Sequence, residues 1–317
     1  MQNARSMENP RAPALRRAKN SRQEARVARG VSRRKTKLLI VRERLYPMND
    51  QVREMTKIKT QLAAARAVLA ASGKSPRRLG EESRLKVIEW IYRWGYTSAM
   101  IVQLLLGRTS AGFAQKLARQ SWLVATKTKT GMPNLFFTLS ELGRQEAERR
   151  SITLYRYSEI DPYKVNQQQI RHYLIAQSST INALNAGVIT GYETERMFAQ
   201  SGDKSGVKRP DIVWVTKAGL RIGCEIELSA KWARDLDDFV LGITRALQSG
   251  EDKPAQYNRF VIVSDSPAII NRYRAAMQPG ATLSMWKKDQ RGHWVIDKTT
   301  KVPDWLFGKI DFHLIGG

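Results

Sequence analysis

One cysteine, Cys224, and three histidines in 317 residues remove whole classes of chemistry. A disulfide framework needs paired cysteines, a structural zinc site needs four soft ligands, and a histidine-built centre needs several imidazoles in one place. Cys224 sits in an apolar run and reads as a small core residue. No apolar run approaches the roughly 18 residues of a membrane span. The N-terminus is basic but lacks the apolar core of an export signal, so the expected setting is the cytoplasm. Acids are also scarce: 29 Asp and Glu stand against 54 Lys and Arg, a formal charge of +25.

That charge is unevenly spread. Residues 1–150 carry 32 basic and 11 acidic side chains, residues 151–317 carry 22 and 18. A strongly basic first half joined to a nearly neutral second half points to a polyanion-binding module attached to something else, with nucleic acid as the leading polyanion. Residues 1–37 hold 12 basic and 2 acidic residues with prolines at 10 and 13. Such a segment is expected to be disordered in isolation and to add sequence-independent affinity by neutralising phosphates. Residues 38–72 are helix-forming, broken at Pro47, and GKSPRRLG at 73–80 has the composition of a linker. Residues 1–80 are therefore expected to form a basic arm, part disordered and part helical, which alternatively docks a partner protein or pairs two copies.

From Ser83 the apolar spacing becomes regular. Leu85, Ile88, Ile91 and Tyr92 predict a helix ending at Gly95. YTSAMIVQLLLG predicts a second, capped by Thr97 or Ser98, and TSAGFAQKLARQSWL a third, capped by Thr109 or Ser110. Two alternating segments around Gly-Met-Pro-Asn predict a hairpin, and Ser140 caps a last helix. Three helices, a hairpin and a helix over 81–150 are the order of a winged helix-turn-helix. Gln115, Lys116, Arg119 and Gln120 on the third helix would then face the major groove of double-stranded DNA, with Lys127 and Lys129 in the wing on phosphate. The plainer alternative is a small helical dimerisation domain. Residues 151–317 interleave helices and strands, which predicts an α/β (α+β) domain with a mixed central sheet.

The most unusual stretch is RIGCEIELSAKW, 221–232. Glu225 and Glu227 lie on one face of a strand because side chains alternate. Asp211 opens the preceding strand, with thirteen residues between it and Glu225, and the VTKAGLR turn among them brings the two together. Either this is an edge strand with a solvated face, or the three carboxylates bind Mg²⁺ or Mn²⁺, since clustered oxygens repel without a cation. Lys231, placed in the first turn of a helix capped by Ser229, would hold the scissile phosphate or orient a water.

The pattern resembles the PD…(D/E)xK motif of restriction-endonuclease-like nucleases, with Glu227 where that motif has lysine. HYLIAQ, YETER, RPDIVW, GCEIELSAK and RFVIVSD together resemble the replication-relaxation family and mobilisation relaxases of the MobC type, over about residues 83–275. The resemblance implies a two-domain protein, winged helix-turn-helix followed by a restriction-endonuclease-like domain. It would be a metal-dependent DNA nickase acting at an origin of transfer or replication in the bacterial cytoplasm, alongside other mobilisation or replication proteins. It assigns Asp211, Glu225 and Glu227 to the metal, Lys231 to the motif's lysine, and places His172 and Glu195 where such proteins keep a histidine and a further acid. Tyr155, Tyr157 and Tyr163 offer a covalent tyrosine intermediate as a second route. The alternative functions are a non-catalytic DNA-binding accessory factor or repressor with a degenerate nuclease domain and, third, an RNA-binding protein using its basic tail.

Overall fold

A computed structural model describes residues 73–198, 207–250 and 254–315, together with a few positions between 60 and 71. The expectations for residues 1–59, for most of residues 60–72 and for the whole 199–206 loop lie outside the described residues. The chain divides into two units, Met1–Arg78 and Leu79–Gly317. The second unit holds all three described sheets and all described helices from Ala99 onward.

Helix α1, Pro76–Trp94, buries Val87, Ile88, Ile91 and Tyr92 on one stripe and Trp90 and Trp94 beside it. Each fully buried side chain of this size contributes roughly 1.5–3 kcal/mol. The helix starts within the stretch that reads as linker. Proline is tolerated in a helix's first turn, and the Ser75 hydroxyl accepts from Arg78 N–H at 3.3 Å. Strand β1, Thr97–Ser98, leads into α2, Ala99–Leu105, capped by Ser98, whose hydroxyl accepts from Ile101 N–H. Helix α3, Gly112–Arg119, starts later than expected, with Ala111 as its N-cap and no side-chain cap. Neither Thr109 nor Ser110 serves it. Strands β2, Leu123–Lys127, and β3, Leu135–Leu139, form the hairpin, and β1 completes a three-stranded sheet in the order β1-β3-β2. Helix α4, Glu141–Arg150, is capped by Ser140, as the sequence indicates.

A connector with three short 3₁₀ turns, the last at Gln167–Gln169, leads to α5, Ile170–Asn185. The larger sheet follows: β4, Gly191–Thr194; the one-turn helix α6, Glu195–Phe198; β5, Ile212–Val215; β6, Arg221–Ile226; α7, Ala233–Leu247; β7, Arg259–Ser264; α8, Pro267–Ala276. After a separate two-stranded hairpin, β8 (Thr282–Lys288) with β9 (Trp294–Lys301), the chain makes one more turn of helix, α9 (Asp304–Phe307). It then returns as β10, Ile310–Leu314, to lie parallel on β7. The order is β10-β7-β6-β5-β4, with β10, β7 and β6 parallel and β5 and β4 antiparallel. The fold is mixed α/β with mixed sheets. No described helix is long and apolar enough to cross a membrane.

Alternation along β5 and β6 sends Ile212, Trp214, Cys224 and Ile226 to a core shared with α5 and α1. Val213 goes to the other face, into a core with α7 and α8. The smaller module and the sheet therefore share one apolar core. Gln177 of α5, fully buried, ties them: its side-chain oxygen accepts from Trp90 Nε1 and Thr97 Oγ1, both at 2.8 Å, and its amide donates to Tyr96 O at 2.9 Å.

Candidate functional site

The β5–β6 turn closes through Gly219 at φ +78°, where a side chain would be strained. Its register pairs Ile212 with Cys224. Asp211 therefore stands beside the end of β6, and its Oδ2 accepts from Ile226 N–H at 2.8 Å. The edge-strand reading of the two glutamates fails, because β6 is the middle strand of five. Glu225 is 1% exposed and Glu227 5%. Two acids in the centre of a sheet cost several kcal/mol unless partnered, so their partners define the site.

Glu225 Oε2 pairs with Lys208 Nζ at 2.9 Å. Lys208 comes from the loop before β5, and its N–H donates to Gly242 O on α7 at 3.1 Å. A Cβ on Gly242 would meet the Lys208 Cβ at 3.0 Å, so glycine there is what lets the loop pass this close. Glu225 Oε1 is buried with no partner. Burial and the neighbouring Asp211 charge push the Glu225 carboxyl well above its usual range, against the pull of Lys208.

Glu227 is saturated instead. Lys231 Nζ pairs with its Oε1 and the Tyr273 hydroxyl of α8 donates to its Oε2 at 2.9 Å. Lys231 does not lie in a helix. Helix α7 begins at Ala233, which takes φ +41°, with Trp232 as an uncapped N-cap, so Ser229 caps nothing. The segment stays extended because Glu227 N–H still pairs with Val263 O, and Arg272 Nε holds Lys231 O at 2.8 Å. The lysine thus reaches the acids from four residues beyond Glu227's position.

Asp211 also meets His172, with Nε2 to Oδ2 at 3.2 Å. Burial would raise the Asp211 carboxyl, but the His172 contact, the Ile226 amide and Lys208 hold it below the usual range. Burial likewise opposes a charged imidazole, and the Asp211 hydrogen bond and charge reverse that, so the His172 pKa is raised. His172, Asp211, Glu225, Glu227 and Lys231 line one cleft of about 440 Å³ together with Lys208. Glu195 does not join them. It accepts from the Tyr173 hydroxyl at 2.7 Å in an adjoining chamber, which also touches Asp211. None of Tyr155, Tyr157 and Tyr163 lines the cleft; the Tyr157 hydroxyl is spent on Gly95 O and Leu139 N–H.

Two features bear on a divalent ion. The hard oxygen donors of Asp211 and Glu225, one of them an unpartnered buried Oε1, suit Mg²⁺ or Mn²⁺. Against this, among the described residues no group of three or more His, Cys, Asp or Glu has the spacing of a metal site. Glu227, held by Lys231 and Tyr273, is the acid that stands apart. The residues fit a cation on Asp211 and Glu225 better than on all three.

On the smaller module, Lys116 and Arg119 are exposed on α3 and Gln120 is exposed at its C-cap, whereas Gln115 is half-buried with its side-chain oxygen enclosed and unpartnered. Lys127 and Lys129 are exposed on the hairpin, and Lys129 N–H donates to Gln167 Oε1 at 2.7 Å. The next residues, Gln168 and Gln169, line the cleft, so the hairpin tip lies beside it.

Sequence reasoning missed Lys208 and Tyr273. Lys208 lies in a polar loop with no periodicity, and Tyr273 reads as ordinary helix core. The only available signal was the KRPD run, which puts a cation three residues before Asp211. No protein-family model, curated protein or solved structure matches the chain. The site must be read from its own chemistry.

Proposed function

We propose that this chain is a DNA endonuclease of the PD-(D/E)xK type that nicks one strand with the help of a divalent ion, at an origin of transfer or replication. The observation that carries the reading is the meeting of Asp211 and Glu225 in a cleft also lined by Lys208, Lys231 and His172. A stable core has no use for a buried carboxylate oxygen without a partner, whereas a site awaiting a cation does. Held by Asp211 and Glu225, Mg²⁺ or Mn²⁺ would stabilise charge on phosphate oxygens and lower the pKa of a water. Lys231 and Lys208 then supply fixed positive charge for the scissile phosphate, and His172 keeps Asp211 ionised and oriented. Residues 81–150 serve as the winged helix-turn-helix that selects the site. The hairpin contact with Gln167 supports a DNA path that runs from the wing into the cleft.

A second reading is favoured by a specific observation. Asp211, Glu225 and Glu227 each already face a cationic or imidazole partner, as expected of a degenerate nuclease domain kept for DNA binding. Incubating supercoiled plasmids carrying candidate origins with Mg²⁺ or Mn²⁺ separates the two. Open-circle product supports the nickase, and intact plasmid with retained binding supports the accessory factor.

The reading module carries its own expected result. Arg119→Ala should lose sequence preference, since a side chain on a base edge is worth roughly 1–3 kcal/mol. Lys127→Ala should weaken all duplexes about equally and flatten the salt dependence. Titrating cognate and scrambled duplexes across a salt series checks both, and unchanged preference in Arg119→Ala would remove α3 as the reader.

A further inference from the structure

Beyond Lys231 the cleft opens onto an exposed rim. The next residue, Trp232, is 65% exposed, although its indole is among the largest apolar groups a chain can present. The Arg272 guanidinium lies 3.5 Å from the centre of that ring and covers one face, which leaves the opposite face to solvent. Arg272 is itself fixed, because its Nε donates to Lys231 O at 2.8 Å. Two residues on, Arg234 of α7 lies 4.5 Å from the ring centre of Trp294, which belongs to the β8–β9 ribbon. Trp294 is 47% exposed, and Lys288 Nζ stands 5.4 Å from its ring centre. The Trp286 indole ties the ribbon to α7 by donating to Asp237 Oδ2 at 2.9 Å. Strand β9 is exposed along its whole length.

Exposed indoles flanked by cations, in line with a cleft suited to a phosphate, match one kind of polymer. We propose that the rim and the ribbon bind single-stranded DNA, with one base stacked on the open face of Trp232 and the strand continuing over Trp294. This deepens the nuclease reading and rests on it for the source of the strand. A duplex keeps its base faces inside its own stack, whereas an unpaired strand offers a face at every nucleotide, and base–aromatic stacking tolerates any sequence. The ribbon complements the phosphates. Residues 282–301 hold five Lys or Arg against two Asp. Both acids are engaged, Asp297 by Lys287 and Asp289 by the Arg291 and His293 N–H groups of the turn, each at 2.8 Å. On α7, Asp235 is taken by Arg234 and Asp237 by Trp286. Lys288, Arg291 and Lys298 face solvent, where they meet a backbone that carries one charge per nucleotide.

The test uses the full-length protein, without divalent ion, and three fluorescein-labelled 20-mers: a mixed-base single strand, an abasic strand and a duplex. Wild type should bind the mixed-base strand more tightly than the abasic one. Trp232→Ala should weaken the mixed-base strand by about 5- to 150-fold, the worth of one stacked base, and leave the abasic strand and the duplex unchanged. Trp232→Phe should recover most of that loss, and Trp294→Ala should give a smaller loss on the same strand. Lys288→Gln should weaken both single strands alike and lower their salt slope by about 0.7. Both tryptophans lie at the surface, so the variants' melting temperatures should match that of wild type. Equal affinity of wild type for the mixed-base and abasic strands would overturn the proposal. So would a Trp232→Ala loss as large on the duplex, which would make the rim a groove reader. A doubled mass by light scattering that Trp294→Ala returns to a monomer would do the same, by making the ribbon a contact between copies. Because no cleavage is read, failure of the nickase assignment and failure of the single-strand platform are distinguishable.

Discussion

Replacing Asp211 or Glu225 with alanine is expected to abolish divalent-dependent plasmid nicking while leaving duplex affinity nearly unchanged. Both side chains line the cleft, and neither belongs to the helix or hairpin that would read DNA. Glu225→Gln sharpens the result. The carboxylate is buried on a central strand, with one oxygen unpartnered and Asp211 pressing on it. An amide removes that charge at nearly constant shape. The same change leaves the largely buried Lys208 ammonium facing an amide in place of its carboxylate partner, so without divalent ion the Glu225→Gln melting temperature should fall by at least about 2–4 °C, the shift that 1 kcal/mol gives in a unit of this size. Added Mg²⁺ should raise the wild-type melting temperature through binding to the folded state and leave the variant's unmoved. Undiminished nicking by both alanine variants would remove the metal assignment. No Mg²⁺ response in wild type would point to the degenerate-domain reading.

The largest loss of stability is expected at Gln177. Its buried amide satisfies two donors and one acceptor, contributed by α1 and the turn that follows it into β1. Leucine has nearly the same volume and satisfies none of them. A buried polar group left without its partner costs about 1–3 kcal/mol, so the three together should cost roughly 3–6 kcal/mol, allowing for their non-additivity. At about 2–4 °C per kcal/mol the melting temperature of Gln177→Leu should fall by about 6–24 °C. Gln145→Leu, at an exposed position on α4, is the control and should change little. A fall at Gln177 no larger than the control's would mean that the two modules are held by apolar packing alone. Because Gln177 also fixes how the hairpin lies against the cleft, partial loss of nicking in the surviving folded fraction is the accompanying functional expectation.

Local pattern carried much of the way in this chain. The 3.6-residue spacing of Ile88, Ile91 and Tyr92, the Ser98 and Ser140 caps, the hairpin around Gly131 and the strands on either side of Gly219 were all legible. So was the meeting of Asp211 with the end of β6, because a hairpin of known length dictates its own register. The failures share a cause. Helix starts at Pro76, Gly112 and Ala233 were misplaced because competing cap residues look alike until packing selects one. Strand β10 was not anticipated, since IDFHL has a weak strand pattern and is stabilised only by pairing with β7. The sequence by itself determined which acids stand on one strand face and how far apart. Only the tertiary structure decided that β6 is central and that Lys208 and Tyr273 arrive from distant segments. It also decided that Glu227 is saturated while Glu225 keeps a free oxygen, and that Glu195 belongs to a separate chamber. The physical reason is that partner choice for a buried charge is a long-range matter: it depends on which desolvated groups other elements bring within reach, and no local propensity encodes that.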